Sequence, residues 1–200
     1  MLTSETNTAY DLALDAFRDS QSAQDVAGLF HAVRKLSYFS DGERSPEVVM
    51  RNLRGACTAK HILLRDLLRR QGERAGVELV AGDFAGGIPE VASMSASLRA
   101  MIRAGDVRDF HCFVVWQSPH RKMRLDATWP DALGAYGFGV NADWAGKGHT
   151  RLAITPVDIP VRAEDVIAAK HRLLAGLTTD HAEKRLLFLK LLSDWIATVS

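Results

Sequence analysis

The chain has 200 residues, 47% of them hydrophobic, with 25 basic against 24 acidic side chains and a formal net charge of +1. That length and composition fit one globular domain spanning 1–200 with a substantial core, and the balanced charge provides no global field to draw nucleic acid or a membrane surface, so neither is an expected partner. Its two cysteines exclude a disulfide framework, and a reducing cytoplasm is the expected compartment.

Residues 1–7 lack the basic-then-apolar pattern of a signal peptide. Apolar residues at helical spacing then predict helices over 8–18 and 22–37, the second with Val26, Leu29, Phe30, Val33 and Leu36 on one stripe. A turn at Ser40-Asp41-Gly42-Glu43 leads to Ser45-Pro46-Glu47, where Ser caps and Pro starts a short helix. After Gly55, a helix runs from about Cys57 to Gln71, with Ile62, Leu63, Leu67 and Leu68 inward, and Gly72 ends it. Arg69, Arg70 and Arg74 read as its solvated C-terminal end.

A strand is expected over 77–81. In 82–106, three glycines give way to Val91, Met94, Leu98, Met101 and Ile102 at helical spacing, which reads either as a lid or as a crossover helix packed on the core. Residues 110–116 are dense in β-branched and aromatic side chains and run into the turn-prone Gln117-Ser118-Pro119-His120; residues 123–128 return as the second arm of a hairpin. Trp129, Tyr136, Phe138 and Trp144 among glycines make 129–150 an ordered loop, its aromatics being either ligand walls or buried anchors. Two helices follow over 163–175 and 180–198. Lys190 and Asp194 interrupt the most hydrophobic run, so no stretch reaches the roughly 18 apolar residues of a membrane span.

Three residues stand out in this order: Cys57 where a glycine-led loop becomes a helix, His111 on one arm of the hairpin and Asp126 on the other. Unpaired N–H groups and the positive end of the dipole favour a thiolate at a helix start. Neighbouring antiparallel strands set a His and a carboxylate side by side, as orienting an imidazole through its second nitrogen requires. His61 lies four residues after Cys57 on one helix face and reads as a helix-surface or supporting residue; a zinc site of Cys57, His61, His111 and Asp126 is the rival reading. Cys112 neighbours His111 on a strand, so it is expected to point to the opposite face, into the core and away from the nucleophile, and to form no disulfide with Cys57.

Gly55-Ala56-Cys57 opening a helix, then His111 in Asp109-Phe110-His111-Cys112-Phe113, then Asp126-Ala127-Thr128 resembles the pattern of the transglutaminase-like superfamily, relatives of the papain-like cysteine enzymes. Separations of 54 and 15 residues fit it, and the resemblance covers roughly 45–130, leaving helical extensions over 1–40 and 160–200. The chain departs from the animal crosslinking members: Ala56 and Thr58 flank the nucleophile, Phe113 stands where a tryptophan is common, and nothing resembles their calcium sites or β domains. The resemblance implies an α+β domain of the papain-like, transglutaminase-core type, with the nucleophile helix packed on an antiparallel sheet and extra helices at both termini. It also implies catalytic Cys57, His111 and Asp126 acting through a thioester, no cofactor and no metal, and a small-molecule or peptide amide or acyl substrate. Water or an amine would accept the acyl group, and oligomeric state is left open. Two alternatives remain: a coenzyme A-dependent acyltransferase resembling the arylamine N-acetyltransferases, and a non-catalytic binding module on the same fold, which a Cys57 buried behind a closed loop would favour.

Overall fold

A computed structural model describes residues 3–199. In chain order the elements are α1 (Thr3–Ser20), α2 (Val26–Arg34), β1 (Ser37–Tyr38), α3 (Pro46–Asn52), β2 (Arg54–Gly55), α4 (Cys57–Arg70), β3 (Arg74–Asp83), α5 (Ala96–Ala104), β4 (Arg108–Gln117), β5 (Lys122–Leu125), β6 (Thr155–Pro156), β7 (Val161–Ala163), α6 (Val166–Ala175) and α7 (Thr179–Val199). The architecture is mixed α+β. Its main sheet is antiparallel, ordered β5-β4-β3-β6 with β7 also paired to β3, while β1 and β2 form a separate two-residue parallel ladder.

Local chemistry explains the boundaries. Asp25 caps α2 by accepting from Gly28 N at 2.7 Å, and Ser45 caps α3 ahead of Pro46. Gly72, at φ +85°, turns the chain out of α4 into β3. The expected helix over 22–37 is shorter, since Asp25 starts it and Ser37 and Tyr38 leave to pair with Arg54 and Gly55. The strands at Thr155–Pro156 and Val161–Ala163 carry no periodic pattern long enough to read, and they exist because β3 offers them an edge.

Two hydrophobic clusters lie on either side of this sheet. On one face Val77, Leu79, Cys112, Val114, Met123 and Leu125 pack beneath α4, with Leu14 and Phe17 of α1 and Leu29, Phe30 and Val33 of α2 closing the layer. On the other, Val80 and Phe113 meet Leu98 of α5, Trp129, and Phe188, Leu192 and Trp195 of α7. Segment 82–106 therefore ends in a helix packed against α7. The loop aromatics are anchors: Trp129 stacks on Phe84 and lies edge-on to Phe138, and Trp144 lies edge-on to Phe30. Arg69 and Arg70 end α4 as expected but do not stand free, with Arg69 Nε donating to Ala75 O at 2.8 Å and Arg70 paired to Asp15.

One buried cation fastens the layers. Lys60, fully buried, donates its ammonium to the carbonyls of Arg34 at 3.1 Å, Leu36 at 2.9 Å and Thr128 at 2.8 Å. It thereby closes the C-terminal end of α2 and ties it to the segment after β5. Burial pushes its pKa down to about 7, against the pull of Asp126.

Candidate active site

The chain reaches Cys57 through a constriction. Any Cβ on Gly55 would come within 2.6 Å of Val49 Cγ2, so only glycine lets β2 pass this close to α3 and hand the backbone straight into α4. Ala56 at the N-cap has no side chain with which to bond the first turn. The N–H groups at the start of α4 therefore stay directed at the thiol and at whatever approaches it.

The hairpin positions His111. β4 and β5 pair with Val114 opposite Leu125, so Asp126, one residue beyond, falls on the same face as His111. His111 Nε2 lies 2.7 Å from Asp126 Oδ2, both side chains being 1% exposed. Asp126 is held in turn: Thr128 donates to Oδ1 from its N–H at 3.0 Å and its hydroxyl at 2.6 Å, and Ala153 N donates to Oδ2 at 2.7 Å. Asp126 N donates to Thr150 Oγ1 at 2.7 Å. Burial alone would raise this carboxyl, but the His111 charge and these hydrogen bonds hold it well below the usual carboxylate range.

With Nε2 occupied, His111 keeps one nitrogen for chemistry. Nδ1 is buried and has no full hydrogen-bond partner among the described residues, yet thiol and imidazole are close enough to shift one another. Burial would lower the imidazole, and Asp126 and the Cys57 thiolate overcome it, raising His111 to about 10. Cys57 moves well below the ordinary thiol range. A hydrogen bond from Cys112 is the largest cause, burial opposes, and the His111 charge, its hydrogen bond and Lys170 add to the lowering. Both shifts favour a thiolate–imidazolium pair braced by a carboxylate.

Cys112 corrects the expectation drawn from strand alternation. It does point away from His111, into the core, but α4 packs on that very face, so Cys112 sits under Cys57 rather than remote from it. Thr58 Oγ1 is 3.4 Å from Cys112 Sγ and 3.9 Å from Cys57 Sγ. Both cysteines are free thiols, as expected, though not for the phasing reason. The neighbouring Cys57, and then burial, push the Cys112 thiol well above its ordinary pKa.

His61 is not on the helix surface. It is fully buried, its Nδ1 2.7 Å from Cys57 O and its Nε2 2.8 Å from Ala127 N. Only the neutral tautomer with hydrogen on Nδ1 satisfies both, and burial lowers its pKa to about 4. His61 thus pins the first turn of α4 to the segment after β5 that bears Asp126, with its ring edge-on to His111. Both nitrogens are committed, which removes it from any ligand set, and no cluster of three or more His, Cys, Asp or Glu among the described residues could hold a metal ion.

A second charged group borders the thiol. Asp109 Oδ1 accepts from Lys170 Nζ and from Arg185 Nε, each at 2.8 Å, all three residues being buried. Burial works against this carboxylate, and the two cations keep it well below its usual range. Sequence offered no signal for it, since Lys170 and Arg185 are 61 and 76 residues away from Asp109. Cys57 itself is 6% exposed, behind residues 40–44, facing a cavity of about 20 Å³.

Neither protein-family models, nor curated proteins, nor solved structures match this chain. No helix among the described residues is long and apolar enough to cross a membrane.

Proposed function

We propose that this chain is a cysteine-dependent acyl-transfer or amide-hydrolysing enzyme of the papain-like, transglutaminase-core type, with Cys57 as nucleophile, His111 as acid and base, and Asp126 as the group that orients His111. One observation carries the reading: His111 is fixed through Nε2 by a buried, fully bonded carboxylate, while its buried Nδ1 has no hydrogen-bond partner among the described residues and Cys57 lies near enough to raise its pKa. A core histidine with a purely structural role satisfies both nitrogens, as His61 does.

The reaction follows from that pair. The Cys57 thiolate attacks a carbonyl carbon, and the oxyanion meets the Cys57 N–H at the start of α4. His111 passes the Nδ1 proton to the leaving amine as the C–N bond breaks, which leaves a thioester on Cys57. Neutral His111 then takes a proton from water or an amine as that acceptor attacks, and collapse of the second tetrahedral species returns the thiolate and the imidazolium. Asp126 keeps hydrogen on Nε2 throughout, so that Nδ1 is always the working atom.

A second reading has one observation in its favour. Cys57 is nearly enclosed, which suits a non-catalytic binding module unless residues 40–44 move aside. Intact-mass spectrometry after incubation with activated acyl esters and amide libraries separates the two. The enzyme gains an acyl mass at Cys57, Cys57→Ala gains none, and Asp126→Asn accumulates the adduct roughly 10³- to 10⁴-fold more slowly through loss of the working tautomer. A thiol that takes no acyl group from any donor supports the binding module.

A further inference from the structure

The wall beside Cys57 is more cationic than holding a thiolate requires. The cavity in front of the thiol is bordered by Lys170 and Arg185, with Asp109 between them, and by Arg44 and Glu43 at its rim. Glu43 is held within its own loop, its Oε1 accepting from the backbone N–H of Arg44 and of Ser45 at 2.7 Å each. Asp109 spends Oδ1 on Lys170 Nζ and Arg185 Nε together. One carboxylate thus serves two buried cations, and the wall keeps a net positive charge.

Arg185 is the informative residue. It is 9% exposed, and of its five N–H donors only Nε–H has a partner among the described residues. Neither Nη group has a hydrogen-bond partner among the described residues, and since Arg185 lines the cavity its fork is open to an incoming acceptor. Carboxylate is the shape that fork fits, because two parallel N–H groups meet two oxygens. Lys170, with Nζ bonded to Asp109 and to Phe110 O, adds charge without offering the same fork.

We propose that Arg185, backed by Lys170 and rimmed by Arg44, is a carboxylate anchor, and that the acyl donor taken by Cys57 carries a free carboxylate within a few atoms of its reacting carbonyl. This deepens the nucleophile reading and rests on it. Dicarboxylic half-amides and amides beside a peptide C-terminus share that chemistry. Neutral acyl groups of the same length forgo the anchor.

The test uses two alkylating reagents of nearly equal size, iodoacetate and iodoacetamide, with rates at Cys57 read by peptide mapping of the full chain. Both need the same opening of residues 40–44, so the ratio of their rates cancels that step and reports the charge of the site. The anchor raises the iodoacetate-to-iodoacetamide ratio about tenfold above that of a free cysteine peptide, the worth of one charge-assisted hydrogen bond. Arg185→Lys, which keeps the charge and the reach to Asp109, retains part of the gain, and Arg185→Gln returns it to the peptide value. If Arg185→Gln does not fold, the wild-type chain gives the same reading: glutarate slows iodoacetamide labelling of Cys57 and glutaramide does not. A wild-type ratio equal to that of the peptide, or equal protection by the two competitors, overturns the anchor alone. A Cys57 that reacts with neither reagent overturns the nucleophile reading and the anchor with it.

Discussion

A thiolate buried to the depth of Cys57 is expensive to maintain, because charge leaves water only where something replaces its hydration. Three neighbours replace it here: the Cys112 thiol, the His111 imidazolium and, farther off, Lys170. Cys112 is the largest of these influences, and a hydrogen bond to a charged acceptor contributes about 1.5–3 kcal/mol, or about one to two pKa units. Cys112→Ala removes the donor and moves the midpoint of Cys57 alkylation against pH upward by about one to two units. Cys112→Ser restores an O–H donor and brings much of the shift back. Following Cys57 modification by peptide mapping across pH distinguishes the two variants; an unchanged midpoint in Cys112→Ala would mean that the core thiol plays no part in activation.

At the scale of elements, the site is assembled by pins between segments that meet only in the fold. His61 joins the first turn of α4 to the residue after Asp126, and Lys60 joins the end of α2 to Thr128. The narrowest of these junctions is Gly55 against Val49. Gly55→Ala forces a Cβ into the 2.6 Å gap at Val49 Cγ2, which costs about 1–3 kcal/mol as overpacking and displaces the start of α4. In a chain of this length each kcal/mol lowers Tm by about 2–4 °C, so calorimetry reads the effect. Val49→Ala in the same chain frees the space, and the double variant recovers much of the Tm that Gly55→Ala loses. If the pair is merely additive, the close approach is not what demands glycine.

For the whole molecule, what was legible in the sequence was what is local. The hairpin of β4 and β5 and the helix start at Cys57 are written in contiguous residues, so period, turn chemistry and spacing sufficed to bring out Cys57, His111 and Asp126. Alternation also placed Cys112 opposite His111 correctly. What it could not provide was the face of the sheet on which α4 lies, and that choice put Cys112 under Cys57. His61 sits four residues along its own helix from Cys57, yet its burial depends on the segment after β5 folding over it. Asp109, Lys170 and Arg185 were invisible for a related reason: the cluster exists only because α6 and α7 return to β4, and nothing in the composition of those helices marks one Lys and one Arg among the 25 basic residues as buried.

The central claim is that folding converts Cys57 into a thiolate paired with His111. The sign of the pH dependence follows from the two shifts. Cys57 is depressed, so its anion persists below the ordinary thiol pKa of about 8.5. His111 is raised to about 10, so its imidazolium is lost only as pH climbs through that value. The direct measurement is the second-order rate of iodoacetamide at Cys57 against pH, in the wild-type chain and in His111→Ala. The pair requires a wild-type midpoint at least about one unit below 8.5 and, once the imidazolium is gone, a rise of that midpoint. A wild-type midpoint at or above 8.5, unmoved by His111→Ala, would contradict it and leave Cys57 an ordinary buried thiol.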